Sequence, residues 1–211
     1  MSEIKKKPAN NFETRHNVKD SKFLASIFAV QNRNEAEARI NEIKSKYSDA
    51  THNVSAFRVE SKQKNNSVVE YFDDDGEPAG SSGPPILEAI KGADLINTVI
   101  IVTRYFGGTK LGIGGLIRAY GDSARLAIEA AGITILKKYD ILEIEVEFDK
   151  IGIVMGQLEA FQAEIKNTDY NNAGLRVTAI IKTDISAKLA KILREKTAGA
   201  VEIKIKTSFY R

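Results

Sequence analysis

At 211 residues, with 43% apolar and 28% charged side chains, the chain has the composition of a globular protein with room for one large domain or two small ones. It contains no cysteine, which excludes thiol catalysis, disulfides and cysteine-ligated zinc, and no apolar run approaches the ~20 residues needed to span a bilayer. The net charge of +3 permits contact with nucleic acid without arguing for it, and all of it resides in residues 1–138.

Residues 1–8 carry basic side chains but no apolar stretch after them, so they do not read as a secretory signal, and Lys5, Lys6 and Lys7 read as a solvated, frayed tail. Residues 12–16 and 21–30 read as a hairpin turning through 17–20. Asn34 precedes a helix with Ala36, Ala38, Ile40, Ile43 and Tyr47 as its apolar positions. Two strands are expected over 52–59 and 68–72, split by a polar loop from Ser61 to Ser67. An acidic turn, 73–78, leads through 79–83 to Pro84 and Pro85, which open a short helix ending near Ile90, since proline is tolerated in the first helical turn. Residues 98–103 read as a buried strand. Residues 116–131 read as a helix with Leu116, Ala119, Tyr120, Ala124, Ala127, Ile128 and Ala131 inward and Arg118, Asp122, Arg125 and Glu129 outward.

The composition shifts at Lys137, Lys138 and Tyr139, where the glycines give way to alternating strands. The expected domains are 1–137 and 138–211. In the second, 141–148 alternates apolar and acidic residues, 151–161 has helical spacing, 163–170 is a weaker strand, and 175–182 is a third strand after Gly174. Asp184 and Ser186 offer N-cap chemistry for a helix burying Leu189, Ile192 and Leu193. Gly199 stops that helix, and 201–206 alternates as a last strand. The order βαββαβ is the ferredoxin-like arrangement, so the fold class is α+β.

The unusual backbone chemistry lies mid-chain: eleven of the fifteen glycines fall between Gly76 and Gly132. Residues 97–121 join an apolar strand, a glycine-rich loop with Arg104 and Lys110, and a helix start at Gly114 and Gly115. Backbone amides freed by glycine, beside fixed cations and a helix N-terminus, suit a phosphate or carboxylate. The strict phosphate fingerprints fail: Gly112 is followed by Ile113 and Gly114 rather than Lys-Ser/Thr, and Ile117 stands where a dinucleotide turn needs glycine or alanine. The loop is therefore either a generic anion nest or a tight strand-to-helix connection. The candidate binding residues are Arg104, Tyr105, Phe106, Gly107, Gly108, Lys110, Gly112, Gly114, Gly115 and Arg118. Arg104 is expected at the sheet edge, holding either a ligand or an acid of the 73–77 turn, and Arg118 is expected to face Asp122 four residues on. Asp74, Asp75 and Glu77 are the possible acidic-turn partners of Arg104, and Asp73, Asp74, Asp75 and Glu77 are, less simply, possible holders of Mg²⁺. Ser81 or Ser82 as a nucleophile needs a positioned base, and only His16 and His52 exist.

Taken together, the segments Asp74-Asp-Gly-Glu-Pro-Ala-Gly80, Pro85-Ile-Leu87, Arg104-Tyr-Phe-Gly-Gly108, Lys110-Leu-Gly112 and Gly114-Gly-Leu-Ile-Arg-Ala-Tyr-Gly121 resemble the signature of the IMPACT / YigZ family. Ser21-Lys-Phe-Leu-Ala25 and Ala50-Thr-His-Asn53 match its earlier segments, and the match covers most of residues 12–132. Ala79, Ser81 and Ile113 depart from the pattern, where serine, threonine and threonine are expected. The resemblance implies a first domain like domain 2 of ribosomal protein S5 and a ferredoxin-like second domain like those of translocating elongation factor G, as in the bacterial two-domain branch. It implies a cytoplasmic, translation-associated regulator that binds RNA, the ribosome or a translation factor, with no established catalytic residues and no cofactor to carry over. No DNA specificity and no membrane partner is expected. The alternative is a Mg-dependent enzyme acting on a phosphorylated small molecule or nucleotide.

Overall fold

The computed structural model describes residues 4–61 and 67–211, as two compact units divided between Ile135 and Leu136. Most of the polar loop expected from Ser61 to Ser67 lies outside the described residues. The first unit is built on a five-stranded antiparallel sheet in the order β2-β3-β6-β4-β5. Its strands are β2 (Phe12–Val18), β3 (Ser21–Ala29), β4 (His52–Ser61), β5 (Ser67–Asp73) and β6 (Thr98–Tyr105). A short strand β1 (Lys5–Pro8) pairs with β7 (Ile133–Leu136). Helices α2 (Gly83–Gly92) and α3 (Ile113–Ala131) cover one face, where Ile86, Ile90, Tyr120, Ala124 and Ala127 pack on Phe23, Ala25, Val54, Ile100 and Val102. Helix α1 (Arg33–Lys46) covers the other face with Ala36, Ile40 and Ile43 on Phe57, Val59, Val99 and Ile101. The uniformly apolar β6 is thereby explained: it is the central strand and is buried on both faces.

Three local expectations change. The basic tail is not frayed: Lys5 pairs with Glu60, Lys6 lies 3.5 Å from Asp94, and the Lys6 carbonyl accepts from Ile96 N–H at 2.8 Å. The first helix is capped by Asn32, not preceded by Asn34 as its start. Asn32 Oδ1 accepts from Glu35 N–H at 3.0 Å, and Glu35 Oε2 reaches back to accept from Gln31 N–H at 2.8 Å, so the first turn is tied down ahead of Asn34. Helix α3 starts at Ile113 rather than Leu116 because Gly112, at φ 71°, serves as its N-cap.

The second unit runs β8 (Lys138–Val146), α4 (Ile151–Ala160), β9 (Glu164–Asn171), β10 (Gly174–Lys182), α5 (Thr183–Lys196) and β11 (Val201–Tyr210). The antiparallel sheet order is β11-β8-β10-β9. Leu142, Ile144, Val146, Val177, Ala179 and Ile181 face Val154, Leu158, Leu189 and Leu193 of the helices. The N-cap of α5 is Lys182, which makes no side-chain capping bond, and Asp184 and Ser186 lie inside the helix rather than at its cap. Buried Asp140 of β8 reaches its first turn instead, accepting from Thr183 Oγ1 at 2.7 Å, Ser186 Oγ at 2.6 Å and Ser208 Oγ at 2.7 Å. A carboxylate there complements the positive end of the helix.

Burial works to raise the Asp140 carboxyl, but the three hydroxyl donors outweigh it and hold the group below its ordinary range. A depressed carboxyl stabilises the fold above its unfolded value, near 3.9, and that contribution is lost as pH falls through the folded value. Asp140→Ala is expected to lower stability by about 2 kcal/mol at pH 7. The gap between the two proteins in chemical denaturation should narrow as the pH is taken below about 3.

Candidate functional site

The antiparallel register lines up His16, Phe23, Arg104 and His52 in one row across β2, β3, β6 and β4. Arg104 thus ends the central strand, not the sheet edge, and continues the Ile100–Val102 face beneath α3. It is 5% exposed, and its Nη1 donates to Glu77 Oε1 at 2.6 Å. The same oxygen accepts from Tyr120 Oη at 2.7 Å, while Arg104 Nη2 donates to Ser21 Oγ at 3.4 Å. The guanidinium also lies between two rings, 5.6 Å from the centre of Phe23 and 5.4 Å from that of Phe106. Burial first, then the Glu77 hydrogen bond, push the Tyr120 phenol far up, so Tyr120 is a fixed donor. Of the alternatives for Arg104, the internal pair with the acidic turn is the one present.

The acidic turn is wholly engaged in building that pair. Asp74 accepts from Gly80 N–H at 2.8 Å, Gly83 N–H at 2.8 Å, Ser82 N–H at 3.1 Å and Ser82 Oγ at 2.5 Å. Burial works to raise its carboxyl, and these four donors together hold it low. Asp75 accepts from Lys44 Nζ at 2.7 Å and Asn53 N–H at 2.6 Å. Its carbonyl accepts from His52 Nδ1 at 2.7 Å, which leaves His52 Nε2 facing Glu77 Oε1 at 3.9 Å. Each carboxylate turns to its own protein donors, and among the described residues no three histidine or acidic side chains converge to hold a metal ion. The Mg²⁺ arrangement therefore gains no geometric support.

The serines fare likewise. Ser81 Oγ donates to the Pro78 carbonyl at 2.6 Å and Ser82 Oγ to Asp74, so neither meets a histidine. The serine–histidine pair that does form is Ser123 with His16 Nδ1 at 3.1 Å, and Ser123 spends its proton on the Ala119 carbonyl at 2.6 Å. That bond leaves Ser123 an acceptor toward the ring rather than an activated nucleophile.

Beyond Arg104 the chain leaves the core. Gly107 passes so close to Asp20 that a Cβ would lie 1.8 Å from the Asp20 carbonyl oxygen, a clash no shift of a side chain relieves. Thr109 Oγ1 donates to Asp20 Oδ2 at 2.6 Å, and Phe106 N–H to Thr51 Oγ1 at 3.0 Å, tying the loop to the residues just before β3 and β4. Tyr105 is committed to Asp49 at 2.8 Å with Lys22 Nζ 5.4 Å from its ring centre. Gly108 and Gly112 take positive φ, and Gly114 and Gly115 form the first turn of α3, which no side chain caps. Lys110 and Arg118 are exposed and have no ion pair among the described residues. Asp122, the expected partner of Arg118, pairs with Arg125. Arg118 folds back instead, its Nη1 3.8 Å from where a Gly114 Cβ would stand. Phe106 and Ile113, 43% and 62% exposed, flank this turn.

The structure thus separates the candidate residues into a buried support (Arg104, Glu77, Asp74, Asp75), to which the Gly107 N–H is tied through Ser21 Oγ at 3.4 Å, and an exposed rim (Phe106, Lys110, Arg118 and the Gly108–Gly115 amides). Sequence reasoning missed Ser21, Phe23 and Tyr120 as members of the support. A tyrosine amid alanines on the inward face of α3 was the available signal, since a buried phenol needs a partner. Arg104→Ala leaves Glu77 buried without its counter-charge, with only the Tyr120 hydroxyl to hold it, and is expected to cost about 3–5 kcal/mol of stability, read as a lower midpoint in chemical denaturation.

Comparison with known proteins matches the family model of the Impact N-terminal domain to residues 19–128. The IMPACT family member YvyE of Bacillus subtilis is 33% identical over 187 residues, spanning 89% of this chain and 84% of that protein. YigZ of Escherichia coli is 29% identical over 182 residues, 84% of this chain and 87% of that one. Protein IMPACT of Danio rerio is 34% identical over 94 residues, which are 44% of this chain and 29% of the fish protein. A crystal structure of a hypothetical protein shares the fold, with a TM-score of 0.69 over 98% of this chain and 99% of its own at 24% identity. With more than half of its length in the Impact domain and the two bacterial relatives matched over at least 84% of either chain, the chain belongs to the IMPACT family.

Proposed function

We propose that this protein is a cytoplasmic, translation-associated regulator that binds RNA, on the ribosome or beside a translation factor, through the exposed rim that follows β6. In this reading the first unit is the S5 domain 2-like module and the second the ferredoxin-like one. What supports the latter is the βαββαβ element order with its sheet order β11-β8-β10-β9. No catalytic residue is assigned. No helix among the described residues is long and apolar enough to cross a membrane.

One observation carries the reading: Lys110 and Arg118, both exposed and without an ion pair among the described residues, stand beside the N-terminus of a 19-residue helix whose cap, Gly112, has no side chain to satisfy its amides. Backbone donors, a helix dipole and two cations at one point favour a phosphate, and exposed Phe106 offers a ring for a base. Arg104 acts in this reading by holding the loop's root through Glu77, not by touching the ligand.

The test is a fluorescence-anisotropy titration of short RNA at several salt concentrations. Lys110→Ala with Arg118→Ala is expected to weaken binding about tenfold and to reduce the salt slope by about 1.4, two phosphate contacts at ~0.7 each. An unchanged slope contradicts the assignment. Binding of a free nucleotide that requires Mg²⁺, with no RNA affinity, would turn the reading toward an enzyme on phosphorylated small molecules.

A further inference from the structure

The sheet of the second unit has a face that its helices leave uncovered, and its register sorts that face into rows. Lys182, Tyr139 and Phe209 form one row across β10, β8 and β11. Behind it come Ile180, Ile141 and Thr207, then Thr178, Glu143 and Lys204, then Arg176, Glu145 and Glu202. The acids of the far rows are matched by Lys204, Lys206 and Arg176, so those rows are close to neutral. The acids Glu143, Glu145 and Glu202 occupy the far rows, where Glu143 pairs with Lys206 at 2.9 Å and Glu145 with Arg176 at 2.8 Å. The near row has an exposed lysine at one flank and, just past its other flank, Arg211. Lys138 opens the same strand as Tyr139.

The two rings of the near row are nearly parallel, 26° apart with centroids separated by 6.0 Å. A planar cation already rests on one of them: the Arg211 guanidinium is 4.2 Å from the centre of the Tyr139 ring. It is tethered there by Glu164 at 2.8 Å, and Glu164 also pairs with Lys166. The tether is an exposed ion pair, the kind that contributes little and gives way readily.

We propose that this row is a second nucleic-acid contact, taking unpaired bases of single-stranded RNA. A base stacks on Tyr139 in the place the guanidinium holds, a neighbouring base stacks on Phe209, and Arg211 with Lys182 turns to the phosphates. Ring faces accept any base, so the site reads single-strandedness rather than sequence. An aliphatic protein partner fits less well. The isoleucines lie in the row behind, Ile180 only 6% exposed and Ile141 half-buried like the two rings, while the exposed side chains at the near row are the cations Lys182 and Arg211. This goes beyond the loop contact on the first unit, and the two are separable.

The experiment titrates a fluorescein-labelled U8 oligonucleotide with the full chain and with Tyr139→Leu, Phe209→Leu, Tyr139→Phe and Lys182→Glu, each first checked by thermal unfolding. The two leucine variants should bind about tenfold more weakly, Tyr139→Phe should bind as the parent, and Lys182→Glu should weaken binding most at low salt. An RNA duplex of the same length should be bound less well by the parent, with no difference between the parent and the ring variants. Should a leucine variant fail to fold, Lys182→Glu and Tyr139→Phe decide alone, since an exposed lysine and an isosteric ring leave the core untouched. Parent-like U8 binding by the leucine variants and by Lys182→Glu overturns the proposal. If Lys110→Ala with Arg118→Ala loses U8 in the same series while those bind normally, only the sheet site falls. The reverse pattern supports the sheet site and removes the loop reading. No U8 binding by the parent at low salt also overturns the proposal and leaves the face to a protein partner.

Discussion

A positive and a negative side chain with almost no access to water meet at the end of β6, and the geometry of the first unit follows from keeping them together. Arg104 is delivered from the central strand, Glu77 from the turn after β5, Tyr120 from α3 and Ser21 from β3, so one polar cluster locks four parts of the chain. Such a pair need not add net stability, because desolvating both charges offsets their attraction. Its consequence is positional. With either partner misplaced an unpaired charge is left inside, so the alternatives are costly and the loop that follows Arg104 leaves the core at a defined point.

Around that pair the acidic turn and the glycine loop play complementary parts. Asp74 spends its carboxylate on the 80–83 backbone, which sets the start of α2, and Asp75 spends its own on Lys44 and on β4. Glu77 is thereby aimed inward. The loop then crosses Asp20 at a distance only glycine permits at 107, and emerges with Lys110, Arg118 and the first turn of α3 facing solvent. A rigid base beneath exposed donors is what lets weak individual contacts add, because little conformational freedom is lost on binding.

Much of this was legible in the sequence, and the reasons it was or was not are physical. The strands and helices of both units follow from period-2 and period-3.6 patterns, which depend only on which face is buried. The continuous apolar stretch at 98–103 was readable as buried, and its place at the sheet centre explains why. Partnerships were harder. Nothing in the spacing of Arg104 and Glu77 distinguishes an internal pair from a ligand site, because the choice depends on which strands lie side by side. Arg118 and Asp122 have ideal helical spacing, yet Arg125 competes for the same carboxylate, and the pattern alone does not rank the two. Asn32 displaced Asn34 as a cap because its side chain meets the Glu35 N–H while the Glu35 carboxylate holds the Gln31 N–H before it. The row joining Tyr139 to Phe209 is hidden for a different reason: the register shift between Ile205 and Thr207 of β11 decides which ring faces which side, and a one-residue slip is invisible to alternation.

The most direct test of the central claim is a double-mutant cycle between Arg104 and Glu77, each replaced by alanine singly and together, with stability measured by chemical denaturation. If the pair anchors the site, the two losses are strongly non-additive, with a coupling of about 2 kcal/mol or more and a double variant little worse than either single one. Additive losses, with a coupling near zero, would mean that Arg104 does not depend on Glu77 and would return it to the list of groups free to meet a ligand.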